Sequence, residues 1–126
     1  MRRRGEGVAW AVDAFGCDPA RLRDRASLRR VFVSVIQELG LRPIGPPRWH
    51  RFPGTRGLTG FWMLRESHLA CHTFPEHGSL CLNLFCCRPR PAFNWQGALA
   101  ETLGARHVTV RAVERDYAPM EARAWR

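Results

Sequence analysis

The chain has 126 residues, 45% of them hydrophobic, and a formal charge of +9. That length suits one domain with a single core, small enough to gain from pairing with a second subunit, and no apolar run approaches the roughly 18 to 20 residues that span a bilayer. All twenty basic residues are arginines, which excludes any mechanism built on a lysine Schiff base, including the usual attachment of pyridoxal phosphate.

Val8 to Phe15 alternates Val8, Trp10, Val12 and Ala14 on one face with small or apolar residues on the other, and reads as a first strand ended by Gly16. Asp18 before Pro19 is an N-cap with a first-turn proline, and Asp24 offers a second cap. Leu28, Phe32, Val35 and Leu39 then recur at helical spacing beside Val31 and Ile36, with Arg23, Arg25, Arg29 and Arg30 toward water and Gly40 as the stop. Leu41 to Trp49 holds three prolines, so a strand there is short and at an edge.

Gly57 to Leu64 is nearly all apolar and reads as a buried strand, broken by Glu66-Ser67-His68, with Leu69 to Phe74 as the returning strand. Pro75 to Gly78 turns the chain, and Leu80, Leu82, Leu84 and Cys86 alternate with Cys81, Asn83, Phe85 and Cys87 in the next strand. Trp95, Ala98, Leu99, Thr102 and Leu103 form a second helical stripe closed by Gly104, and Val108, Val110 and Ala112 a last strand. Two helices cannot cover both faces of such a sheet. The expectation is an α+β fold: a single domain over 1–126, a two-layer α/β sandwich with a mainly antiparallel sheet and two helices on one face, and a frayed tail over 118–126.

Five cysteines, Cys17, Cys71, Cys81, Cys86 and Cys87, are an odd number without a C-x-x-C pair, which fits a reducing cytoplasm better than a secreted disulfide framework. Asp13 interrupts the apolar stretch behind Arg2, Arg3 and Arg4, so neither a signal peptide nor a membrane span is expected. The arginines are scattered from Arg2 to Arg126 without an aromatic-basic signature or a recognition-helix pattern, so no nucleic-acid partner is expected.

Chemistry concentrates between Arg65 and Glu76, which holds Ser67, His68, Cys71, His72 and two carboxylates. A serine at a strand-to-strand break can attack the carbonyl before it. Attack by Ser67 on Glu66 gives an ester, β-elimination cuts the chain, and hydrolysis of the dehydroalanine leaves a pyruvoyl group on the new N-terminus. A serine in a turn is ordinarily only a turn residue. Metal binding competes for the same residues, since His68, His72, Cys86 and Cys87 offer four ligands. The spacing is a poor zinc signature, with no C-x-x-C or H-E-x-x-H and with adjacent cysteines pointing to opposite faces of a strand; no metal is expected.

The run E-S-H-L-A-C-H-T-F-P-E resembles the self-cleavage segment E-S-H-L-x-I-H-T-W-P-E of the small prokaryotic S-adenosylmethionine decarboxylases. V-D-A-F-G-C-D near the start, H-R-F, G-L-T-G and L-F-C-C resemble further landmarks in the same order, with one extra residue between Phe52 and Gly57. The resemblance implies a pyruvoyl cofactor made from Ser67 after cleavage at Glu66-Ser67, His72 as the acid-base residue of processing, Thr59 as the hydroxyl assisting it, and Cys87 as the proton donor in decarboxylation. It implies Phe52 stacking on adenine, Glu76 on the ribose, a homodimer, and a product that donates aminopropyl groups for spermidine synthesis.

Each role has a physical warrant. An imidazole exchanges protons near neutral pH, a thiol can protonate a carbanion, and an aromatic face suits a purine and a sulfonium. Four positions depart from the pattern: Phe74 replaces tryptophan, Ser79 tyrosine, Asn83 aspartate and Arg88 glycine. These leave the processing residues intact and bear on substrate, because relatives of the family use ornithine or arginine with the same cofactor. Phe52 and Glu76 favour S-adenosylmethionine.

Overall fold

A computed structural model describes residues 6–118. Nine elements follow in order: β1 (Glu6–Phe15), α1 (Pro19–Leu22), α2 (Arg25–Leu39), β2 (Arg48–Arg51), β3 (Leu58–Met63), β4 (Ser67–Phe74), β5 (Ser79–Cys86), α3 (Trp95–Leu103) and β6 (His107–Asp116). The six strands form one sheet in the order β2-β3-β4-β5-β1-β6, with every neighbouring pair antiparallel. The two-layer α+β expectation holds, with a third, one-turn helix added: α1 uses the Asp18 cap, whose carboxylate accepts from the Ala20 N–H at 2.9 Å. The tail lies outside the described residues from Pro119 onward.

The helices cover one face. Val8, Val12 and Ala14 of β1, Leu69, Cys71 and Thr73 of β4, and Leu80, Leu82 and Leu84 of β5 are all buried there. They pack under Leu28, Val31, Phe32, Val35 and Leu39 of α2 and Leu99 and Leu103 of α3, the stripes that the helical periodicity predicts. Each large core aliphatic contributes about 1.5 to 3 kcal/mol on leaving water, so this layer dominates stability. Gly40 ends α2 at φ 65, the left-handed conformation that glycine adopts without a Cβ penalty.

At the β2 edge Trp49 stacks on Phe32 at 5.5 Å and lies flat over Gly60, its partner across the ladder, where an added Cβ would come within 2.3 Å of the indole. Glycine is required there for close approach rather than for a turn.

Two local expectations fail. Gly57 to Leu64 reads as a buried strand, yet Phe61 and Met63 are 42% and 52% exposed, because β3 alternates and, among the described residues, one face of the sheet carries no helix. The second is the break at Glu66-Ser67-His68. Only Arg65 and Glu66 bend, while Ser67 and His68 already belong to β4, paired with Cys86 and Phe85 of β5. Cross-strand pairing overrides the local turn propensity of serine.

Candidate active site

Strand β4 carries Ser67 and His72 of the sequence-predicted site residues, and period-two geometry sorts its side chains. Leu69, Cys71 and Thr73 face the helices, so Ser67 shares their side, while His68, Ala70 and His72 face the open side. Ser67 and His72 are five residues apart, hence about 16 Å along the strand and on opposite faces. One copy of the chain does not bring them together.

At the far end of β4 a cluster forms on the open face. Thr59 pairs with His72 across the β3–β4 ladder, and Thr59 Oγ1 lies 2.9 Å from His72 Nδ1. A hydroxyl on Nδ1 fixes the ring and leaves Nε2 for proton exchange. Thr73, next in line, points the other way and anchors the region: its hydroxyl donates to the Leu22 carbonyl at 2.8 Å and accepts from the Leu58 N–H at 2.8 Å. Phe52, half-buried just past β2, packs edge-on against His50 at 5.5 Å, and its N–H donates to the Gly57 carbonyl. Glu76 is exposed in the turn after β4.

The sequence reading assigned no role to His50 or Cys81, although the ladder sets His50 opposite Thr59 and Cys81 opposite His72. Burial and a contact with Asp13 push the Cys81 thiol above its ordinary pKa. The signal for both was strand parity on β2 and β5, which becomes usable only once the register is fixed.

At the near end, around the bend, the Glu66 carbonyl accepts a hydrogen bond from the Cys87 N–H at 2.8 Å, and Leu64 N–H donates to the Ser67 carbonyl at 3.0 Å. The carbonyl before Ser67 is thus already polarised by a backbone donor. Cys86, paired with Ser67, is buried, and desolvation pushes its thiol up to about 11. Cys87, just past β5, is half-exposed and continues the open-face parity of Phe85. Tyr117 donates to the Cys87 carbonyl at 2.9 Å, and Arg88 Nε meets Glu66 Oε2 at 2.6 Å.

The four-ligand metal arrangement does not survive the geometry. His68 and His72, one helical turn apart if helical, lie about 13 Å apart on a strand. Cys86 and Cys87 point to opposite faces, so the four cannot converge on one ion.

Among proteins of known family, residues 8–116 match the family model described as S-adenosylmethionine decarboxylase. An S-adenosylmethionine decarboxylase proenzyme of Acetivibrio thermocellus is 33% identical, covering 82% of this chain and 83% of its own length. The proenzyme of Pelotomaculum thermopropionicum is 32% identical over 94% of this chain and 92% of its own. The crystal structure of the adenosylmethionine decarboxylase from Aquifex aeolicus superposes with a TM-score of 0.75 over 94% of this chain and 98% of that one, at 23% identity, and so shares the fold. With the family model matched from β1 to β6 and these relatives aligned over most of their length, the chain belongs to the S-adenosylmethionine decarboxylase family.

Proposed function

We propose that this chain cuts itself between Glu66 and Ser67, converts Ser67 into a pyruvoyl group, and then decarboxylates S-adenosylmethionine, the substrate in the names of its relatives, yielding the aminopropyl donor for spermidine synthesis in the cytoplasm. The observation that carries the reading is the 2.8 Å hydrogen bond from the Cys87 N–H to the Glu66 carbonyl, immediately before the serine. Among the described residues no helix is long and apolar enough to cross a membrane.

In the first step the Ser67 hydroxyl oxygen bonds to the Glu66 carbonyl carbon, and the carbonyl electrons move onto an oxygen held by the Cys87 N–H. The Glu66–Ser67 C–N bond then breaks as the amide nitrogen takes up the hydroxyl proton, leaving an ester. A base removes the Ser67 α-proton and the ester C–O bond breaks, freeing the Glu66 carboxylate and a dehydroalanine. Water then replaces its nitrogen, released as ammonia. His72 is the base, oriented by Thr59.

Because β4 holds His72 about 16 Å from Ser67 on the other face, the pair serves the Ser67 of a second copy. A two-fold dimer brings the far end of each β4 to the near end of the other and makes two composite sites. The Thr59–His72 pair and the exposed Phe61, Met63 and Val113 share the open face, so a partner docked there presents its Arg65–Glu66 bend, and with it the Glu66–Ser67 peptide bond, to that pair. Residues of this chain fit the pyruvoyl group: Ser67 supplies it, Cys86 pairs with Ser67 across the ladder, the half-exposed Cys87 follows with open-face parity, and no lysine is present to tether a carbonyl cofactor instead. Once formed, it supplies the electron sink that a lysine-bound cofactor supplies elsewhere. Cys87 then returns a proton to the substrate carbon, Phe52 offers a face to adenine and the sulfonium, and Glu76 accepts from ribose hydroxyls.

Intact mass spectrometry of the purified protein tests the reading. Fragments 1–66 and 67–126 are expected, the latter blocked at its N-terminus. A full-length chain with a free serine at position 67 removes the cofactor and the enzyme with it. Carbon dioxide release from S-adenosylmethionine, ornithine and arginine then decides the substrate, and faster turnover of either amino acid would mean that the departures at Phe74, Ser79 and Asn83 have changed the pocket.

A further inference from the structure

Arg88 stands where the family resemblance has glycine, and its side chain reaches across the bend to Glu66, with Nε 2.6 Å from Oε2. The preceding residue donates its N–H to the carbonyl of the same glutamate at 2.8 Å. Two consecutive residues of one strand end therefore hold Glu66 at two points, Cys87 through the main chain and Arg88 through the side chain. Tyr117 fixes the strand end itself by donating to the Cys87 carbonyl at 2.9 Å.

We infer that Arg88 is a positioning residue for self-cleavage: by gripping the Glu66 carboxylate it holds the Glu66 carbonyl on the Cys87 N–H, where the Ser67 hydroxyl attacks it. The inference rests on the self-cleavage reading and adds to it a residue that touches neither the reacting atoms nor the substrate. Apart from that side-chain contact, the peptide plane after Glu66 is held only by the Cys87 N–H and by the ladder pairing of Ser67, at the edge of a two-residue bend with no glycine. A charge-assisted contact on the side chain narrows that rotation, and acyl transfer is steeply sensitive to the placement of its carbonyl. The pair is exposed, at 67% for Arg88 and 38% for Glu66, so its effect is a moderate rate factor rather than an on-off requirement.

The test follows precursor made by cell-free synthesis, with the rate of conversion into two fragments read by mass spectrometry for the full chain. Arg88→Ala is expected to slow cutting about three- to fivefold, as suits an exposed charge-assisted pair, with Arg88→Lys recovering part of the rate. The thermal midpoint of precursor blocked by Ser67→Ala should not move when Arg88→Ala is added, since the side chain lies outside the core. In a Glu66→Gln background the Arg88→Ala effect should vanish, because the two act as one unit. Equal rates for wild type and Arg88→Ala, or the same slowing in both backgrounds, overturns the inference. A wild-type precursor that never cuts overturns the self-cleavage reading instead.

Discussion

The two ends of strand β4 differ in what holds them. The far end, with Thr59 and His72, is built on side chains: a hydroxyl on an imidazole across a regular ladder, backed by Thr73 bonded to the Leu22 carbonyl and the Leu58 N–H. The near end, with Ser67, is built on main chain, where the Cys87 N–H meets the Glu66 carbonyl. In the proposed reading the far end supplies the acid-base pair and the near end the peptide bond that it cuts. A strand between them keeps a single copy from joining the two.

The largest expected effect sharpens the near end. Ser67→Ala should remain one uncut chain by mass spectrometry, since no other group can form the ester, while keeping the wild-type circular dichroism spectrum. Next comes the far end. His72→Ala should slow cutting by about 10²- to 10⁴-fold, the range for a lost general acid-base group. Co-expression of His72→Ala with Ser67→Ala chains breaks or keeps the division directly. A mixed dimer holds one site with both groups intact, and that site always contains the Ser67 of the His72→Ala chain, so essentially all of the His72→Ala chains within mixed dimers should be cut. No cutting in the mixture, with mixed dimers present by native mass spectrometry, would mean that each copy serves itself.

Phe52→Ala tests the far end as substrate binder. Loss of one stacking or cation-π contact costs on the order of 1 to 3 kcal/mol, so turnover of S-adenosylmethionine should fall roughly 5- to 150-fold while cutting is unchanged. The smallest effect concerns the two adjacent thiols of the near end. Burial raises Cys86 to about 11 from an ordinary 9.0. At pH 8 it therefore stays a thiol in the folded chain, and its reactive thiolate grows only as pH climbs toward 11. Maleimide labelling followed by peptide mapping should modify Cys87 well before Cys86, with the difference lost on unfolding.

Helix positions, caps and most strands were legible because they follow from local periodicity: Asp18 before Pro19, the Leu28-Phe32-Val35-Leu39 stripe and the Leu80-Leu82-Leu84 alternation each lie within one element. The exposed Phe61 and Met63 were not, since an apolar run looks alike whether one or both faces are covered. Nor were His50 and Cys81, which gain meaning only from their ladder partners.

The sequence alone determined the chemical inventory: a serine after a glutamate, a histidine five residues on, a cysteine twenty residues on, and no lysine to tether a carbonyl cofactor. Spacing along a chain carries no face and no end until the strand's first residue is known. The tertiary structure started β4 at Ser67 rather than Leu69, and that choice sent Ser67 and His72 to opposite faces and set the Cys87 N–H on the Glu66 carbonyl. The physical reason is that hydrogen bonding across the ladder, from β5 on one side and β3 on the other, satisfies backbone groups that a local turn would leave unpaired.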